Sequence, residues 1–236
     1  MYNLVIDEGN TRIKVGIFKE GSIVDSIVCS TSEELEQIAL SHPILHVIRS
    51  SVREQPIVKN NFRIAGNWLE VSNVGSFPIQ LPYSGIGTDR IASACAAHSL
   101  YPNHPVLILD CGTCLTHGVV NRAAFLGGSI RPGLQMRFKA LEQYTCKLPL
   151  VELPFDSYPN RTGTTTIENI QSGVFWGMVD EINELIHYYH TIYSNLIVLI
   201  TGGDAPHFEK SIKETIFAQP DLNLIGLHSL IVYNVS

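Results

Sequence analysis

The stretch Leu4-Val5-Ile6-Asp7-Glu8-Gly9-Asn10-Thr11-Arg12-Ile13-Lys14-Val15-Gly16-Ile17 decides the fold. Leu4 to Ile6 is an apolar run that stops at an acid. Glu8-Gly9-Asn10-Thr11 has the composition of a turn. Ile13, Val15 and Ile17 then alternate with Lys14 and Gly16, the period of a strand. Residues 2–18 therefore predict strand, tight turn, strand, with Gly21-Ser22 as a second hairpin turn leading into Ile23–Cys29.

The same unit recurs about half a chain length later. Val106-Leu107-Ile108-Leu109 ends at Asp110, the turn Cys111-Gly112-Thr113-Cys114 follows, and an apolar stretch runs on through Val119-Val120. A strand, an Asp-x-Gly-[Asn/Thr] turn and a second strand, repeated at that spacing, predict an internal duplication. Between the two units, Ser32-Glu33-Glu34-Leu35 reads as a helix start with Ser32 as cap. Residues 44–50 read as a buried strand, residues 54–84 as short strands broken by prolines, and Asp89 to Leu100 as an Ala-rich buried helix ended by Pro102 and Pro105. Beyond the second unit, helices are expected over 134–147 and 166–193. The longer one is amphipathic, with Ile167, Ile170, Val174, Met178, Ile182, Leu185 and Ile186 near a 3.6 period. A strand at 196–200, a short helix at 207–218 and a final strand near 222–233 complete the prediction.

The chain has 236 residues, 45% hydrophobic and 16% charged, which excludes a disordered tail and leaves ample material for a core. Its net charge of −6 lacks the footprint of a nucleic-acid binder. The absence of a long apolar run and of a basic, apolar leader predicts a cytoplasmic protein with no membrane partner. Five cysteines, an odd number, read as reduced thiols.

Glycine turns between strands let backbone N–H groups approach an anion. Asn10 and Thr11 add donors, Lys14 a point charge, and Asp7 an oxygen ligand for magnesium. The alternative is an ordinary hairpin with a capping Asp. Asp110, Gly112, Thr113 and Thr116 offer the same chemistry again, and Gly202-Gly203 after a strand suits the face of an adenine ring. Neither a Gly-x-x-x-x-Gly-Lys-[Ser/Thr] loop nor a Gly-x-Gly-x-x-Gly fingerprint occurs. Gly87-Thr88-Asp89-Arg90 stands at a loop-to-helix junction, where Asp89 is either a proton acceptor for a substrate hydroxyl or a complement to the helix dipole. The glycine-dense Gly127–Gly133 stretch is either a ligand loop or a surface turn. Cys111-x-x-Cys114 and the His187/His190 pair lack the partners of a zinc site.

Together these motifs resemble type III pantothenate kinase. The set is Asp7-x-Gly9-Asn10-Thr11-x-x-Lys14, Gly87-x-Asp89-Arg90, Asp110-x-Gly112-Thr113-x-x-Thr116, Gly127-Gly128-x-Ile130-x-Pro132-Gly133 and Thr201-Gly202-Gly203-Asp204-Ala205, in the family's order. The resemblance implies an α/β fold of two similar lobes with a central cleft, that of the sugar kinase, heat-shock chaperone and actin (ribonuclease H-like) superfamily. The N-terminal lobe would span 1–103 and the C-terminal lobe 104–236. It implies ATP-dependent phosphorylation of pantothenate to 4′-phosphopantothenate, with magnesium, a monovalent cation (potassium or ammonium) and a homodimer whose sites lie near the interface. Carried over by position, Asp7, Glu8, Gly9, Asn10, Thr11, Arg12, Ile13, Lys14 and Thr113 would bind ATP. Tyr83, Gly87, Thr88, Asp89, Arg90 and Thr166 would bind pantothenate, with Asp89 the base, and Asp110 would ligate the monovalent cation. Gly118 stands where the family often has an acid, and Cys114 where it has a small residue. The rival readings are a non-catalytic regulatory relative, a filament-forming ATPase of the actin branch, and a kinase of another small hydroxylated metabolite.

Overall fold

The computed structural model describes residues 1–9, 12–53, 63–154 and 157–235. The first sheet contains β1 (Tyr2–Glu8), β2 (Ile13–Lys19), β3 (Ser22–Cys29), β4 (Ile44–Ser51) and β5 (Trp68–Glu70), in the order β3-β2-β1-β4-β5. The second contains β6 (Val106–Cys111), β7 (Cys114–Asn121), β8 (Ala124–Pro132), β9 (Ile197–Thr201) and β10 (Phe217–Ala218), in the order β10-β9-β6-β7-β8. Counted from its own first strand, each sheet has the same order, so the repeated turn is accompanied by a repeated topology. β1 runs antiparallel to β2 and parallel to β4, and β6 runs parallel to β9.

The helices are α1 (Ser32–Leu40), α2 (Thr88–Leu100), α3 (Leu134–Gln143), α4 (Thr166–Ile192), α5 (Ala205–Phe208) and α6 (Leu222–Val235). The chain divides into two compact units. One comprises 1–103, 120–126 and 221–236, the other 104–119 and 127–220. In the first, Leu4, Ile6, Ile13, Val15, Ile17, Leu35 and Val47 form a core on one face of the sheet. Helix α6 crosses α2 so closely that a Cβ on Gly226 would lie 1.8 Å from the Ala92 carbonyl oxygen. The Ala-rich run of α2 therefore provides a smooth surface for another helix. In the second unit, α4 lays Ile170, Val174, Phe175, Met178, Ile182 and Ile186 against Leu107, Leu109, Val198 and Ile200.

Several sequence expectations are corrected. The apolar run near 222–233 is helix α6, not a strand. Leu222, Leu224, Leu227, Leu230 and Ile231 are all buried, and a short run that is apolar nearly all round carries no period to separate helix from strand. The helix expected at 207–218 shrinks to α5 and a 3₁₀ turn at Glu209–Ser211, after which the chain extends into β10. The cap of α1 is Thr31 rather than Ser32. Its hydroxyl accepts from the Glu34 N–H at 3.2 Å, while Glu34 accepts from the N–H of Ser30, one residue before the cap, at 2.8 Å. Ile167 is exposed, because the first turn of α4 precedes the part that meets the sheet. Of 54–84, residues 54–62 lie outside the described residues. The remainder holds β5 and a bridge from Gln80 to Ala124.

Candidate active site

In the first unit the site grows from a row across three strands. Asp7 stands opposite Lys14 on β2 and Ser50 on β4, so the three side chains share one face of the sheet. Burial raises the Asp7 carboxyl from 3.8 to about 6, opposed by a hydrogen bond from Asn223 Nδ2 to Oδ2 at 3.2 Å. The negative charge of Asp89 raises it further, while Lys14 and a hydrogen bond from Ser50 lower it. The hydroxyls of Ser50 and Thr88 share a hydrogen bond of 2.8 Å. Asp7, Ser50 and Thr88 thus form a continuous polar link between the first turn and the Gly-x-Asp-Arg motif.

That motif begins α2. Gly87 is the N-cap, and a Cβ there would lie 2.6 Å from Asp89 Oδ1, so glycine leaves room for the carboxylate. Asp89 Oδ1 accepts the Arg90 N–H at 2.8 Å, and Oδ2 takes no hydrogen bond from the described residues. The Arg90 guanidinium lies 5.3 Å over the ring of Phe125. Tyr83 is 53% exposed on the segment that leads into the motif. Around the first turn, Ile13 is buried in the core and offers a nucleotide only its backbone, Glu8 is buried and Arg12 is exposed. Asn10 and Thr11 lie outside the described residues.

In the second unit the three glycine elements that the sequence kept apart meet at one turn. Gly133 N donates to the Thr113 carbonyl at 3.2 Å, and a Cβ on Gly133 would fall 2.3 Å from the Gly112 carbonyl oxygen. Gly202 adopts φ +96°, and a Cβ there would lie 2.3 Å from the Cys111 carbonyl oxygen and 2.6 Å from Asp110 Oδ1. Asp204 N donates to the Cys111 carbonyl at 2.8 Å. The stretch 124–132 is strand β8 rather than a loop. Gly203, unlike Gly202, faces open space. Burial pushes the Cys111 thiol well above its ordinary value, helped by the charges of Asp110 and Asp204, which makes it a poor nucleophile. Thr113 is exposed at the turn, and Thr166 is the exposed first residue of α4, just after the capping Thr165.

The donors fit the cations the resemblance implies. Asp110 Oδ1 and the Cys111 carbonyl oxygen both lie within 3 Å of the position a Cβ on Gly202 would take, oxygen donors of the kind hard cations accept, and a carbonyl that already accepts one hydrogen bond keeps a second lone pair. The negative charge of Asp89 raises the cost of ionising Asp7, and a cation held beside Asp7 would lower that cost. Sequence reasoning missed Ser50, Arg53, Asp221 and Asn223. Lys14 Nζ is 3.7 Å from Asp221, and Arg53 Nε donates to the Gly9 carbonyl at 3.1 Å. Ser50 had a usable signal. Asp7, Ser50, Asp110 and Thr201 all sit at or next to the carboxyl ends of parallel strands, where α/β sheets bind ligands.

The family profile of type III pantothenate kinases matches residues 3–188. A type III pantothenate kinase of Cytophaga hutchinsonii is 42% identical over 99% of this chain and 100% of its own. Among solved structures, a conserved Campylobacter jejuni protein placed in the Baf family of transcriptional activators aligns at TM-score 0.61 and 20% identity over 98% of each chain. A ROK hexokinase of Thermus thermophilus aligns at TM-score 0.50 and 12% identity over both full chains. At those identities the two structures speak for the fold alone, that of the sugar kinase and actin-like ATPases.

Proposed function

This chain belongs to the type III pantothenate kinase family, and we propose that it transfers the γ-phosphoryl group of ATP to the primary hydroxyl of pantothenate, with Asp89 as the base. The observation that carries this reading is the link Asp7–Ser50–Thr88, which brings the first turn and the Asp89 motif into one electrostatic neighbourhood.

The first turn and Lys14 hold the phosphates, and Asp7 takes the magnesium that accompanies them. Asp89, fixed through Oδ1 to its own helix, presents Oδ2 to the pantothenate hydroxyl. As the hydroxyl oxygen bonds to the γ-phosphorus, the bond to the β,γ-bridging oxygen breaks, ADP leaves, and the hydroxyl proton passes to Asp89. Arg90 clamps the substrate, with Gly87, Thr88 and Tyr83 around it. Asp110 would hold a monovalent cation through its carboxylate, and Thr113 would touch the nucleotide. We assign the phosphate-binding turn and the Gly-x-Asp-Arg substrate motif to a lobe of residues 1–103, and the second phosphate and cation turn and the adenine-side glycine loop to a lobe of residues 104–236. Thr166 contacts pantothenate within a homodimer. Among the described residues no helix is long and apolar enough to cross a membrane, and we place the enzyme in the cytoplasm without nucleic-acid partners.

A turnover screen with ATP and pantothenate, several sugars or glycerol, in potassium, ammonium or sodium chloride, tests the proposal. Pantothenate is expected to be the substrate consumed, with a lower rate in sodium. Faster turnover of a sugar would replace the substrate assignment. ATP binding without transfer to any acceptor would favour the regulatory reading, and equal rates in all three salts would remove Asp110 as a cation ligand.

A further inference from the structure

The charges around the first turn do not balance in the way the sequence suggests. Lys14, the expected phosphate cation, shares its charge with Asp221, whose Oδ1 also accepts from Ser26 at 2.7 Å. Arg53, just after β4, is placed differently. Its Nε donates to the Gly9 carbonyl at 3.1 Å, and its own N–H donates to Ser51 Oγ at 3.2 Å. The preceding Val52 N donates to the Glu8 carbonyl at 3.1 Å. Backbone and side chain together pin Arg53 to the turn. Among the described residues no carboxylate lies within ion-pair distance of it. A guanidinium anchored through Nε keeps both Nη groups, a planar fork matched to a pair of phosphate oxygens.

We propose that Arg53 is a further nucleotide-binding residue, with its Nη groups gripping the terminal phosphates of ATP beside Gly9. This rests on reading the first turn as the phosphate turn. The anchor holds the fork in place before the nucleotide arrives, so little side-chain entropy is lost on binding. Lysine would keep the charge but lose the two-point geometry.

Arg53→Gln separates the anchor from the fork, because Gln Nε2 follows Cδ as Arg Nε does and keeps a donor for the Gly9 carbonyl. Calorimetry with magnesium ATP alone, without pantothenate, is expected to show binding weakened about tenfold to hundredfold in Arg53→Gln, with a smaller loss in Arg53→Lys. In turnover the KM for pantothenate should stay at the wild-type value, and Tm should change little. An unchanged ATP dissociation constant in Arg53→Gln overturns the proposal, whether or not Tm falls. Wild type that binds ATP yet phosphorylates no pantothenate would sink the substrate assignment while the binding comparison still decides Arg53. Wild type that binds no ATP sinks the phosphate turn and Arg53 together.

Discussion

The two acidic turns are alike in sequence and are held in opposite ways. The first is held by side chains from elsewhere in its unit: Asn223 on Asp7, Asp221 near Lys14, Ser50 between Asp7 and Thr88, and Arg53 on Gly9. The second is held by main chain, with Gly133 and Gly202 stacked on its carbonyls and Asp204 N bonded to Cys111. A turn held by polar side chains is electrostatically tunable, and its Asp is pushed up to about 6. A turn held by glycine contacts is sterically constrained instead. One local sequence is thus held in two ways, according to what packs against it.

The contrast can be broken in four places. The largest effect belongs to Asp89→Asn. Its amide oxygen still accepts the Arg90 N–H, so Tm should hold, while kcat falls about 10²- to 10⁴-fold through loss of the base. Near wild-type turnover removes Asp89 from the chemistry. Next is Gly202→Ala, which puts a Cβ against a carbonyl at φ +96° and should cost on the order of 2–4 kcal/mol. Gly203→Ala should stay within about 0.5 kcal/mol. Equal denaturation midpoints for the two would refute the steric account of the second turn.

The third test is Asp7→Asn. The folded carboxyl, raised from 3.8 to about 6, binds its proton more tightly than the unfolded one. Its ionisation therefore weakens the fold progressively from about pH 4 to pH 6, and the loss is complete at pH 7. Asp7→Asn should stabilise the protein by on the order of 2 kcal/mol at pH 7, with the gain vanishing below pH 4. Thermal unfolding across that range decides it, and a variant less stable at pH 7 would refute the assignment. The smallest effect is that of Asn223→Ala, which removes a donor to the charged carboxylate. A loss of about 1 kcal/mol is expected at pH 7, shrinking as pH falls below 6. A pH-independent loss would mean that Asn223 only packs.

Much of the fold was legible where local pattern and tertiary demand agree. The hairpin of β1 and β2 and the long stripe of α4 carried their own periods. The turn between β2 and β3 announced itself through Gly21, at φ +85°. The turn between β7 and β8 did not, because Arg122 and Ala123 take the same left-handed conformation at φ +49° and +57° without glycine. There the hairpin tip is secured by Gln80, which donates to Ala123 and accepts from Phe125. Helix α6 was misread because its neighbour α2, rather than any period of its own, decides which residues are buried.

The sequence by itself determined the two Asp-x-Gly turns, the doubled strand pattern, the acid at the head of α2 and, through those motifs, the family. These are local in the chain, and short-range stereochemistry specifies them. Only the tertiary structure decided that Asn223 would steady Asp7, that Gly133 and Gly202 would close on the second turn, and that Arg53 would lie beside Gly9. Those partners are far apart along the chain, and their meeting depends on sheet register and helix crossing, which no local window of sequence encodes.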